Sequence, residues 1–170
     1  MKQKKNLNIV IATISDSRTF ENDKSGDILE QRITQDNHNC FSRSIIKDDI
    51  EKIEKFFKAC LKNNLIDIII TTGGTGLTGR DSTPEVLQKI IEKQIPGFGE
   101  IFRQISFNKI GTSALQSRAL AGIAKGKFFF SLPGSPSACI DAWDNILKFQ
   151  LNINHKPCNL IELIPRLLEK

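Results

Sequence analysis

The sequence predicts a three-layer α/β/α domain, with helices covering both faces of a mostly parallel sheet. Three observations predict it. Short, apolar, β-branched runs recur at residues 7–14 and 66–72, as expected of strands buried on both faces. Helical stripes alternate with them, which implies right-handed β-α-β units. Three loops that leave strand ends carry unusual chemistry: Ser15-Asp16-Ser17-Arg18, residues 71–81, and Leu132-Pro133-Gly134-Ser135-Pro136. Open α/β sheets bind ligands beyond the carboxyl ends of their strands. At 170 residues the chain makes about one domain, spanning 1–170, with no linker and no internal repeat.

Each element follows from its local pattern. Leu7-Asn8-Ile9-Val10-Ile11-Ala12-Thr13-Ile14 reads as the first strand. Residues 26–35 place Ile28, Leu29, Arg32 and Ile33 at helical spacing, and residues 40–46 alternate weakly as a second strand. After Asp48 and Asp49, the residues Ile50, Ile53, Phe56, Phe57, Cys60 and Leu61 share one helical stripe, with Lys and Glu opposite. Ile66-Asp67-Ile68-Ile69-Ile70-Thr71-Thr72 is the strongest strand pattern in the chain. Thr83-Pro84-Glu85 reads as an N-cap followed by proline at the first helical position. Helical patterns follow at 99–106 and 114–123, then a strand at 127–132. A long helix over 136–151 carries Cys139, Ile140, Trp143, Ile146 and Leu147 at core spacing, and 160–168 reads as a short terminal helix.

Composition narrows the class without naming a function. Hydrophobic residues make up 39% and charged residues 25%, which excludes a disordered or collagen-like chain. The net charge is +5, but the excess comes from lysine, which outnumbers arginine 17 to 7, and no basic run extends beyond residues 2–5. The charge suits phosphate-bearing ligands and gives no footprint for nucleic acid. Cys40, Cys60, Cys139 and Cys158 form no C-x-x-C pair, and His38 and His155 do not cluster with them, so zinc is not expected. Free thiols, no apolar stretch near the ~20 residues of a membrane span, and no signal-peptide cleavage pattern together predict a cytoplasmic protein. His38 is expected in a surface turn and His155 in the loop before the last helix.

Gly74-Thr75-Gly76-Leu77-Thr78-Gly79 matches G-x-G-x-x-G literally. As a dinucleotide fingerprint it fails: the helix starts only at Pro84, and Glu92 lies inside that helix rather than at a strand end. As a P-loop it also fails, because Arg80 and Asp81 stand where Lys and Ser/Thr are needed. What both motifs share survives. Backbone amides of Gly73, Gly74, Thr75 and Gly76 can turn towards an anion near a helix N-terminus. Asp81 beside phosphates then makes sense with Mg²⁺ between them. The competing account is a tight turn in which Asp81 only assists the helix start, and spacing alone leaves both open. Asp48 and Ser135, taken alone, read as helix caps.

Longer motifs add a resemblance. Thr71-Thr72-Gly73-Gly74-Thr75-Gly76 with Gly79-Arg80-Asp81-x-Thr83-Pro84-Glu85 resembles the signature of the molybdenum cofactor biosynthesis proteins, in their B branch. It continues in Ser15-Asp16-Ser17-Arg18, Ser25-Gly26-Asp27, Pro96-Gly97-Phe98-Gly99-Glu100, Gln116-Ser117-Arg118-Ala119, Leu132-Pro133-Gly134-Ser135 and Lys156-Pro157-Cys158-Asn159, in order along nearly the whole chain. The resemblance implies a molybdopterin-binding fold that assembles as a homo-oligomer, a trimer or a hexamer of two trimers. Active relatives join AMP from Mg-ATP to the terminal phosphate of molybdopterin and release pyrophosphate. By resemblance, Asp48 and Asp81 match the two acids of that step, with Asp81 on Mg²⁺. Ser15, Asp16, Arg18, Gly73, Gly74, Thr75, Gly76, Arg80 and Ser135 match the binding loops. Some members of the branch lack a clear activity and depart from Arg-Asp-x-Thr-Pro, which this chain keeps. The alternative is therefore a molybdopterin-binding oligomer without turnover. A phosphate nucleophile needs no general base, consistent with a chain of only two histidines.

Overall fold

A computed structural model describes residues 6–169. The lysine-rich run at residues 2–5 lies outside the described residues. Six strands form one sheet: β1 (Asn8–Ile14), β2 (Asn39–Ile46), β3 (Ile68–Thr72), β4 (Lys93–Gln94), β5 (Leu120–Ala124) and β6 (Lys127–Leu132), in the order β2-β1-β3-β6-β5-β4. β2, β1, β3 and β6 run parallel; β5 is antiparallel to β6, and β4 to β5. Helices α1 (Lys24–Gln35), α4 (Pro96–Ile110) and α5 (Pro136–Ala142) cover one face, and α2 (Ile50–Lys62) and α3 (Thr83–Ile90) the other. The three-layer α/β/α expectation holds.

Strand periodicity makes the two cores. Ile9, Ile11, Ile68, Ile70, Phe128 and Phe130 point towards α1, α4 and α5, where Leu29, Ile33, Phe102 and Trp143 meet them. Val10, Ala12, Ile69 and Phe129 point the other way, against Ile53, Phe57, Val86 and Leu87. Phe57 meets Phe129 edge-on at 5.6 Å between ring centroids. α5 continues through a π turn (Trp143–Leu147) to Gln150, so the long C-terminal helix is present with one widened turn.

The helix expected at 114–123 is not there. α4 ends at Gly111, whose φ of +58° breaks the helix, and a 3₁₀ turn (Gly111–Gln116) leads into β5 instead. Pairing with β6 across the tight Lys125-Gly126 turn, both at positive φ, overrides the helical reading of Leu120-Ala121-Gly122-Ile123-Ala124. Gly122 is required there, since a Cβ would lie 1.9 Å from Ile91 Cγ2. The terminal segment forms a 3₁₀ helix over Ile161–Arg166.

The register sets up the site. Thr13 pairs with Thr72, and Thr72 with Leu132, so the loops after β1, β3 and β6 leave the sheet side by side. The chain leaves β1 outward to β2 and returns past it to β3, which makes β1/β3 the topological switch point. Among the described residues no helix is long and apolar enough to cross a membrane.

Candidate functional site

The glycine loop is held open by its own geometry. Gly73 has φ +100° and Gly74 φ +62°. A Cβ on Gly73 would sit 2.2 Å from the Ile14 carbonyl oxygen; one on Gly74 would meet Thr83 Oγ1 at 2.4 Å and Asp48 Oδ2 at 2.9 Å. The Gly73 amide donates to the Leu132 carbonyl at 3.0 Å, tying the loop to the end of β6. Thr83 Oγ1 donates to the Gly73 carbonyl at 3.2 Å, and the Thr83 amide to the Gly74 carbonyl at 3.1 Å. Thr83 is thus no N-cap: Ser82 occupies the cap position and the Thr83 hydroxyl is turned back to hold the loop.

The two acids are placed differently. Asp81 Oδ2 accepts from Thr78 Oγ1 at 2.6 Å and from the Thr78 amide at 2.9 Å. These bonds hold the Asp81 carboxyl below its ordinary pKa, so it is ionised at neutral pH. Asp48 is not the cap of α2; Asp49 is, accepting from the Lys52 amide at 3.0 Å. Asp48 Oδ1 instead accepts from Ser82 Oγ at 3.0 Å and the Ser82 amide at 3.3 Å. Burial pushes the Asp48 pKa up, the Ser82 bonds oppose it, and the nearby charges of Asp81 and Asp16 push it up further. The Asp48 carboxyl therefore feels the charge of Asp81 across the loop.

A cleft of about 540 Å³ opens on one side of this loop. Gly73, Gly74, Thr75, Gly76, Asp81, Gly134 and Ser135 line one part, and Phe102, Ser106, Lys109, Ala114 and Asp141 another. Asp48 and Arg80 line a separate depression with Gly79 and Ser82. The β1 loop reaches the glycine loop through Asp16, whose carboxylate meets the Arg80 guanidinium at 2.6 Å. Ser15 Oγ accepts from the amides of Ser17 and Arg18, and Arg18 donates to the Asn22 carbonyl at 3.0 Å. Ser15 and Arg18 thus organise the β1 loop, and neither is among the cleft-lining residues. Ser135 caps α5, accepting from the Ala138 amide at 3.2 Å, and still faces the cleft. His38 is half-buried rather than in a surface turn, and His155 lies in the loop before the last helix.

Sequence reasoning did not find the brace on the loop. Arg118 Nε donates to the Gly76 carbonyl at 2.8 Å, a terminal nitrogen donates to the Asp81 carbonyl at 2.7 Å, and the other pairs with Glu85. With these carbonyls turned to Arg118, both ends of the 76–81 segment are pinned. Nor did it find Asp141, an acid inside the apolar run Ala138-Cys139-Ile140-Asp141-Ala142-Trp143, a placement that is itself a signal.

Residues 10–152 match the family described as a probable molybdopterin binding domain. The chain is 40% identical over 151 residues to molybdenum cofactor biosynthesis protein B of Escherichia coli (strain K12), covering 89% of each chain. The chain belongs to the molybdenum cofactor biosynthesis protein B family. A crystal structure of a molybdenum cofactor biosynthesis protein B superposes with a TM-score of 0.84 at 40% identity, over 89% of this chain and 94% of that one. The tungsten cofactor synthesizing protein MoaB from Pyrococcus furiosus superposes with a TM-score of 0.77 at 30% identity, over 85% and 92%. These alignments, like the resemblance of the motifs, extend along most of the chain, so membership of the molybdenum cofactor biosynthesis protein B family does not rest on the glycine loop alone.

Proposed function

We propose that the chain acts in molybdenum cofactor biosynthesis as an Mg-ATP-dependent molybdopterin adenylyltransferase. A terminal phosphate oxygen of molybdopterin attacks the α-phosphorus of ATP. The new P–O bond joins AMP to the pterin, and the α–β bond breaks with its electron pair leaving on pyrophosphate. The observation that carries this reading is the glycine loop of the cleft, with the Asp81 carboxylate held ionised beside it by Thr78.

The residues fit a magnesium ion that arrives with ATP. Among the described residues no three His, Cys, Asp or Glu gather as a metal site, and Mg²⁺ bound with a nucleotide usually rests on one or two carboxylates plus phosphate oxygens. Asp81 would hold it, with Asp48 as the second acid, and the ion would supply charge neutralisation on the phosphates. The chain's own contribution is positioning. The Gly73 amide is taken by the Leu132 carbonyl and the Gly76 amide by the Asp81 carboxylate, so the amides of Gly74 and Thr75 orient a phosphate group. Thr83 and Arg118 keep that loop from relaxing, and the nucleophile needs no proton removed. Exposed Ile101, Phe107, Ile110 and Leu115, on or just after α4, support a homo-oligomer, trimer or hexamer, which light scattering measures.

Incubated with molybdopterin, Mg²⁺ and labelled ATP, the pure protein should yield adenylylated pterin and pyrophosphate. Asp81→Asn should lower the rate by ~100-fold or more, the scale of losing one preorganised electrostatic group. Equal background from wild type and variant refutes the enzymatic reading. Tight pterin binding without affinity for Mg-ATP selects the holding role without turnover.

A further inference from the structure

The cleft contains a second chemically distinct point, made by Asp141 of α5 and Lys109 near the end of α4. Asp141 is only 5% exposed, yet it lines the cleft, and its carboxylate pairs with the Lys109 ammonium. Lys109 is 56% exposed along its side chain, so it is free to shift when something enters. Asp141 sits between core residues: Ala138, Cys139, Ala142 and Trp143 are all buried. A buried carboxylate answered by one exposed lysine is a poor structural staple, because desolvation offsets much of the attraction and an apolar residue would pack as well. Beside the pair, Phe102, Ala114 and Ala138 make the lining of the cleft apolar.

We infer that Asp141 and Lys109 read the hydrogen-bonding edge of a bicyclic heterocycle, the 2-amino-4-oxopyrimidine edge that pterins share with guanine. This rests on the proposed function and adds to it the end of the cleft that takes the ring. The edge presents, in sequence, an exocyclic amino donor, a ring N–H donor and a carbonyl acceptor. A carboxylate offers two acceptors and no donor, and the adjacent ammonium offers donors and no acceptor, so the pair matches the edge group for group. Adenine presents no such row. The ring system therefore lies on the apolar side of the cleft beside Ala138, with its phosphate directed to the amides of Gly74 and Thr75. The pterin enters one way round, and the adenine of ATP is refused at this point. Because Asp141 is reached through the cleft, anything that displaces Lys109 from it must satisfy that carboxylate in turn.

The test uses the full chain and a ligand without phosphate, 6-hydroxymethylpterin, so that it does not depend on adenylyl transfer. Fluorescence quenching should show saturable binding by wild type. Asp141→Asn places an amide donor against a donor edge and should weaken pterin binding at least tenfold on the order of magnitude of an unpaired buried polar group. Its affinity for Mg-ATP should stay unchanged. Lys109→Met should weaken pterin binding less, and it serves as the second variant if Asp141→Asn fails to fold. Guanosine should compete weakly and inosine, lacking the amino group, more weakly still. Equal pterin affinity in wild type and both variants overturns the inference, as does adenosine displacing the pterin at equal or lower concentration than guanosine. If molybdopterin is adenylylated while these variants bind pterin normally, only this inference falls. If the wild type binds neither 6-hydroxymethylpterin nor molybdopterin, the proposed function falls with it.

Discussion

Gly73→Ala tests whether the loop geometry is imposed by the sheet beneath it. The new Cβ would lie 2.2 Å from the Ile14 carbonyl oxygen, about 1 Å inside the ~3.3 Å at which carbon ordinarily approaches such an oxygen. The Cβ position is fixed by the backbone and the oxygen belongs to it, both at the ends of paired strands, so no flexible side chain can swing aside. Holding a non-glycine residue at φ +100° adds ~1–3 kcal/mol of strain, and overpacking adds ~1–3 kcal/mol. Taking ~4 kcal/mol, and ~2–4 °C per kcal/mol for a chain of this size, the midpoint should fall by ~8–16 °C. Gly79→Ala is the control: an added Cβ there meets nothing within 4 Å, so its melting point should stay within ~2 °C of wild type. Thermal unfolding followed by circular dichroism reads both. A Gly73→Ala protein melting within ~2 °C of wild type refutes the reasoning.

Two further perturbations probe the brace and one half-buried histidine. Arg118→Ala removes two hydrogen bonds to loop carbonyls and should destabilise by ~2 kcal/mol, with faster amide exchange confined to residues 73–81; unchanged exchange there removes Arg118 as a brace. His38 Nδ1 accepts from the Leu7 amide at 3.3 Å, and burial, partly opposed by a hydrogen bond with the Leu151 backbone, lowers its pKa below 6.5. The unfolded chain therefore binds the proton first. This contribution to stability is intact above pH 6.5 and is lost as pH falls below it through the folded-state value. Urea midpoints at pH 7.5 and 5.5 should fall more for wild type than for His38→Asn, and parallel falls would contradict the assignment.

Much of the architecture was legible because burial on both faces leaves little freedom in sequence. Ile9 to Ile14 and Ile68 to Thr72 could be read as central strands, and the stripe Ile53, Phe57, Cys60 could only cover them. The antiparallel end of the sheet was harder. β5 carries Ala121, Gly122 and Ala124, which are small enough to suit a helix, and only pairing with Phe128, Phe129 and Phe130 decides for a strand. β4, at Lys93–Gln94, is too short to show any pattern. Caps were misassigned where two polar residues stand together. Asp48 and Asp49 are equivalent in sequence, but Ser82, 34 residues away, draws Asp48 and leaves Asp49 to cap. The site divides the same way. The glycine loop announces itself locally, whereas the opposite wall is assembled from α4, a 3₁₀ turn and α5, so Lys109 and Asp141 meet only in the folded chain.

The placement of the arginines sets how the cleft can handle charge. Arg118, which braces the glycine loop, is engaged with Gly76, Asp81 and Glu85. Arg43 is spent on Asp23, Asp27 and Glu30, anchoring edge strand β2 to the start of α1. Arg32 is paired with Asp144. Arg80 alone in this set is loosely held: it meets Asp16 but remains 74% exposed, so a stronger anion could draw it away at little cost. The anion end of the cleft is thus made of backbone amides with an ionised Asp81 at its rim, while the exposed Arg80 guanidinium lies in the separate depression with Asp48. Amides alone hold a phosphate by dipoles and do not cancel its charge. In the proposed reaction most of the neutralising charge must therefore arrive with the nucleotide. Affinity for ATP should then depend steeply on Mg²⁺, while affinity for the pterin ring at Asp141 should not.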